Sequence, residues 1–171
     1  MLSPAVSNPA FAAVIAAAFA ATVIDLRTRR IPNELTAALT GVGVALAITG
    51  VSGLTVWGSM AGFAVGLALM MPGHMLGATG AGDVKLMAAV GAVVGPSTVV
   101  TAFLLTAIAG GVLAVVVAKR RGRLKATIAQ TGKLIATTAE AQAQMRSAPS
   151  THRFAYGPAI AIGSVLATFV R

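Results

Sequence analysis

Hydrophobic positions in this chain come in long unbroken runs, separated by short charged or Gly/Pro-containing breaks, rather than in the alternation of a half-buried strand. A helix that crosses the hydrocarbon core of a bilayer takes about 20 predominantly apolar residues. Runs of that kind lie at approximately 8–24, 35–57, 59–76 and 154–170, with Trp57 placed to end the second at an interface and Pro72-Gly73 blurring the end of the third. From Leu86 to Ala118 the chain carries 33 residues without a charge, too long for one span. Gly95-Pro96-Ser97 divides that stretch, because proline lacks a backbone donor and disfavours helix in the residue before it. The division leaves a short span at 84–94 and a full one at 97–118. The pattern therefore predicts an all-α polytopic membrane protein of about six transmembrane helices, a single domain over 1–171 with no apparent internal repeat.

Composition supports that reading. Hydrophobic residues make up 57% of the chain and charged ones only 10%, where a soluble domain has about 25%. Mean hydropathy is +0.87. Met1 to Pro9 has no Lys or Arg, so the first run is expected to be a permanent span rather than a cleaved signal. There is no cysteine, which excludes disulfides, thiolate nucleophiles and cysteine metal sites.

The net charge of +9 changes the picture only when its distribution is considered. Placing the N-terminus outside puts Arg27, Arg29 and Arg30 in the first inner loop, Lys85 in the second, and the basic segment 119–153 in the third. Twelve of the thirteen Lys and Arg then face the cytoplasm and only Arg171 does not, as the positive-inside bias requires. The charge thus points to orientation and to anionic lipid headgroups at the inner face, not to nucleic acid. Within 119–153, Leu124, Ile128, Leu134 and Ile135 recur near a helical period, so this segment reads as an interfacial amphipathic helix, or else as a basic loop.

Against this background two residues stand out. The chain has only two aspartates, Asp25 and Asp83, each at the edge of an apolar run and, in this topology, both at the cytoplasmic face. An ionisable carboxylate at a membrane edge is a functional-site hypothesis by default. Two carboxylates held close share a proton, since both cannot readily ionise. The ionised member can accept a proton from water while the protonated one polarises a peptide carbonyl. Taken singly, Asp25 has the alternative of pairing with Arg27 or Arg29, and Asp83 that of an N-cap for the fourth helix. Gly80 and Gly82 offer backbone conformations closed to other residues and room for close approach. Lys85 either pairs with a carboxylate or marks the inner face. Pro32-Asn33-Glu34 reads as a helix start beside the site. His74 and His152 read as interfacial polar residues, Glu140 as a solvated partner for nearby basic residues, and Met70, Met71 and Met75 as packing.

The Gly80-Ala81-Gly82-Asp83-Val84-Lys85 segment resembles the GxGD motif of the type IV prepilin peptidases. Asp25 with Ile31-Pro32-Asn33 resembles their first aspartate motif, and Phe154-Ala155-Tyr156-Gly157-Pro158 their last, with Ala155 where proline is usual. The chain is most similar to the short Flp-type (tight-adherence) forms, which lack the methyltransferase region and its cysteines. The resemblance implies a multi-pass enzyme of the prokaryotic inner (cytoplasmic) membrane that removes the basic leader of prepilins after a glycine, at the cytoplasmic face. It implies catalytic roles for Asp25 and Asp83, support from Gly80, Gly82, Lys85, Pro32, Asn33, Tyr156, Gly157 and Pro158, and a prepilin as partner. Water and two carboxylates suffice, so neither metal nor organic cofactor is implied. The alternatives are a preflagellin-type or other GxGD membrane protease and, in a different class, a proton-coupled transporter component, whose carboxylates belong near the bilayer midplane.

Overall fold

The computed structural model describes residues 9–28, 31–75, 79–120 and 157–170, the side chains of 117 and 118 excepted. Among these residues the backbone forms helices and no strand: α1 (Pro9–Thr28), α2 (Asn33–Ile48), α3 (Val56–Met75), α4 (Ala81–Val94), α5 (Pro96–Arg120) and α6 (Gly157–Phe169). Helices α1, α3 and the Pro96–Val116 part of α5 are long and apolar enough to cross a membrane; α2 and α6 are shorter apolar helices. The chain is an all-α membrane protein.

The helices are arranged around α4. In the order α1, α2, α3, α5, α6 and back to α1, each outer helix packs on the next, and all five touch α4. Every residue of α4 from Leu86 to Val94 is buried, whereas the outer helices expose apolar residues such as Phe19, Trp57, Leu104 and Ile108. Without a hydrophobic drive between helices in lipid, close packing needs small residues at the contacts. A Cβ on Gly43 of α2 would stand 2.7 Å from the carbonyl carbon of Ala92, and one on Gly62 of α3 would strike the backbone of Gly91. Ser59 of α3 donates its hydroxyl to the Ala92 carbonyl at 2.7 Å. Two outer helices thus grip the central one through its backbone.

Helix boundaries follow local chemistry. The apolar run expected to continue to Trp57 stops at Ile48, and Trp57 lies in the first turn of α3, 82% exposed. Gly50 and Gly53 adopt φ of +71° and +69°, a region that side chains with a Cβ disfavour, and so reverse the chain between α2 and α3. The division at Gly95-Pro96 falls as expected: Gly95 has φ +84° and Pro96 opens α5. Helix α3 runs through Pro72 to Met75. A proline in the last turn forfeits only one intrahelical bond. Lys119 and Arg120 form the last turn of α5. The rest of the basic segment, with Glu140 and His152, and residues 154–156 lie outside the described residues.

Candidate active site

Three chain segments meet at the start of α4. Asp25 lies in the last turn of α1, and Asp83 in the first turn of α4. Both are buried, at 5% and 7% exposure, although the neighbours Leu26, Arg27 and Lys85 are exposed. The helices that carry them pack on each other. A buried charge is costly without partners, and the partners here are backbone N–H groups.

Asp25 Oδ2 accepts a hydrogen bond from the N–H of Gly157 at 3.0 Å, across 132 positions of sequence. Gly157 is the first residue of α6, whose leading N–H groups have no intrahelical acceptor and carry the positive end of the helix dipole. A Cβ at Gly157 would lie 2.7 Å from Oδ2 and 3.0 Å from Asp25 Cβ, so the carboxylate fits only against glycine. Among the described residues no basic side chain pairs with Asp25, and Arg27 is exposed.

Asp83 is not the N-cap of α4. That place belongs to Gly80, which has no side chain to offer, and Asp83 stands three residues on. Its Oδ2 accepts the Gly80 N–H at 3.0 Å while its own N–H donates to the Gly80 carbonyl at 3.1 Å. The carboxylate closes the turn that carries it, the acidic half of a capping box. Gly80 has an ordinary extended conformation (φ −76°, ψ 154°), and the described positive-φ glycines are Gly50, Gly53 and Gly95. The glycines of this motif therefore provide closeness rather than unusual dihedrals. A Cβ on Gly82 would sit 3.0 Å from Ile31 Cβ, so the Asp83 turn lies directly on the segment after Asp25.

A second clasp joins the same two segments. Lys85 Nζ donates to Asn33 Oδ1 at 2.8 Å, pairing with a neutral amide and not with a carboxylate. Pro32, at φ −62° and ψ 143°, is the residue that starts α2 and sets Asn33 in its first turn. Pro158 follows Gly157 in the first turn of α6, whereas Tyr156 lies outside the described residues.

One contribution was not visible in the motifs. His74 Nδ1 lies 3.1 Å from the Thr79 carbonyl, and the Thr79 N–H donates to the Gly73 carbonyl at 3.2 Å. A carbonyl only accepts, so Nδ1 carries the proton. Gly73 and His74 at the end of α3 thereby fasten the residue that precedes Gly80. The spacing of Pro72-Gly73-His74 before the Gly-x-Gly-Asp turn was the one available signal. Met70 is packed in the core at 3% exposure, while Met71 and Met75 lie on the surface of α3.

The arrangement brings two buried carboxylates from separate helices to one end of the central helix. Each is held by one backbone donor, and Gly82 against Ile31 and Lys85 on Asn33 join the segments that carry them. No curated protein and no solved structure matches the chain. A family model described as the type IV leader peptidase family matches residues 12–115, a stretch that holds both aspartates and more than half of the 171 residues. On that match, and with the helical membrane architecture around it, the chain belongs to the type IV leader peptidase family.

Proposed function

We propose that this peptidase hydrolyses the leader of Flp-type prepilins at the cytoplasmic face of the inner membrane, with Asp25 and Asp83 as its catalytic pair. The observation that carries the reading is that the only two aspartates in the chain are both buried, on helices that pack together, with the Asp83 turn lying on the segment that follows Asp25. The positive-inside distribution of Lys and Arg supports a cytoplasmic location for that end of the bundle.

In the reaction the pair holds one proton. The ionised carboxylate takes a proton from water as its oxygen attacks the peptide carbonyl, and the protonated one donates to the developing oxyanion. The collapse of the tetrahedral intermediate returns a proton to the leaving amine. Both carboxylates act as a unit, so acid and base are properties of the pair. The Gly157 and Gly80 N–H groups each occupy one oxygen of their carboxylate, which orients the other toward substrate. The lipid-facing apolar surface suits a substrate whose own apolar helix stays in the bilayer while its basic leader remains in water. A proton-coupled transporter would place its carboxylates along a path, not at the head of a helix closed in by its neighbours.

The test is processing of a leader-bearing prepilin in membranes that contain wild type, Asp25→Asn or Asp83→Asn at equal levels. Wild type should shorten the substrate and both variants should leave it intact. Cleavage by both variants would sink the aspartic mechanism.

A further inference from the structure

The seam between α5 and α6 is a close helix contact in which no small residue touches Asp25 or Asp83. Gly163 of α6 faces Thr106 of α5 so closely that a Cβ there would strike the Thr106 hydroxyl and backbone and stand 2.7 Å from the Ala102 carbonyl oxygen. Buried small residues recur on both sides, at Ala159, Gly163 and Ala167 on α6 and at Ala102, Thr106 and Gly110 on α5. That four-residue spacing puts each set on one helix face. The Thr106 hydroxyl in this seam, 1% exposed, has no hydrogen-bond partner. An unpaired hydroxyl in an apolar setting is unfavourable, so the seam is held by backbone approach and not by its polar groups.

The consequence lies at the other end of α6. Gly157, six positions before Gly163, donates to Asp25, and six helical residues span about 9 Å of rigid rod. Toward the C-terminus of the same helix, Phe169 packs edge-on against Phe11 of α1 with ring centroids 5.0 Å apart. Helix α6 thus meets α1 at both ends, through Gly157 and through Phe169, and α5 along the face between them. A helix pushed off α5 at Gly163 carries Gly157 with it, because the two sit on one rigid rod.

We propose that the Gly163–Thr106 contact is a positioning device: it sets the place at which α6 offers the Gly157 N–H to Asp25. Gly163 and Thr106 are then positioning residues for the reaction, acting through Gly157. This rests on the peptidase reading above.

The test compares wild type with Gly163→Ala, Gly157→Ala, the double variant, and Gly111→Ala, where an added Cβ meets nothing within 4 Å. Each full-length protein is assayed in membranes at matched levels for kcat and KM on a prepilin with a basic leader. Gly163→Ala should lower kcat by about tenfold or more, the scale of an ångström-sized misplacement, with KM unchanged. The double variant should be no slower than the slower single, because both changes break one hydrogen bond. Wild-type kcat in Gly163→Ala, or losses that multiply in the double variant, would overturn the proposal. If Gly163→Ala does not accumulate, Thr106→Leu presses on the same point from α5 and should give the same kcat-selective loss. Failure of both to accumulate while Gly111→Ala does would make the seam a folding contact and end the proposal. Asp25→Asn cleaving normally is a separate result, which would remove the dyad itself.

Discussion

Replacing Gly157 by alanine adds one methyl group at the point where α6 meets Asp25. The new Cβ would lie 2.7 Å from Oδ2, 3.0 Å from Cβ and 3.1 Å from Cγ of Asp25. To reach an ordinary contact of about 3.4 Å, the carboxylate must retreat by about 0.7 Å (3.4 − 2.7). Neither side yields easily, because Asp25 is 5% exposed and Gly157 is backbone at a helix start. The hydrogen bond from the Gly157 N–H, now 3.0 Å, would lengthen beyond useful range. A hydrogen bond to a charged group contributes about 1.5–3 kcal/mol, which corresponds to about 10- to 150-fold in rate if it orients the reacting carboxylate. The assay is leader removal in membranes, followed by a gel shift, with insertion levels matched by immunoblot. Gly41→Ala is the control, since a Cβ at Gly41 meets nothing within 4 Å. Wild-type cleavage by Gly157→Ala at equal protein level would refute the view that this donor orients Asp25.

Three other outcomes follow from the same geometry. Lys85→Met should slow cleavage without abolishing it, because the Lys85–Asn33 clasp supports the Asp83 turn but leaves both carboxylates in place; a loss equal to that of Asp83→Asn would assign Lys85 a direct chemical role. His74→Phe removes the ring N–H that holds the Thr79 carbonyl, and should raise proteolytic nicking near residues 76–79 together with a several-fold fall in activity; unchanged protease sensitivity would count against the fastening role. Gly62→Ala drives a methyl into the Gly91 backbone at the α3–α4 contact, so thermal stability in detergent should fall sharply, whereas Gly58→Ala, with its nearest neighbour at 3.4 Å, should fall little; equal stability of the two would refute the backbone-grip account of α4.

The helical membrane class was legible because apolar runs in a chain with 10% charged residues leave few alternatives. The Gly95-Pro96 break was legible for the same reason that it exists, a missing donor next to a residue free to take positive φ. The Gly50–Gly53 reversal was hidden, since Val51 and Leu54 keep the hydropathy high across the turn. The candidate pair stood out through rarity, there being no third aspartate to confuse it. The motifs also drew attention to Gly80 and Gly157 beside it, but not to what they do. A backbone N–H looks the same at every position, so the donation of these two to Asp83 and Asp25 is visible only in the fold. For Gly82 the sequence suggested both unusual dihedrals and smallness; smallness is what the fold uses, and which atom it makes room for, Ile31, is a tertiary fact.

The burial of both carboxylates carries a consequence for the supply of reactants. Hydrolysis consumes water, yet Asp25 and Asp83 are only 5% and 7% exposed. Their neighbours Leu26, Arg27 and Lys85 are exposed, and mark the side from which solvent can reach the pair. Wetting of that one end of the bundle, as much as proton affinity, then sets how fast the bond can be cut.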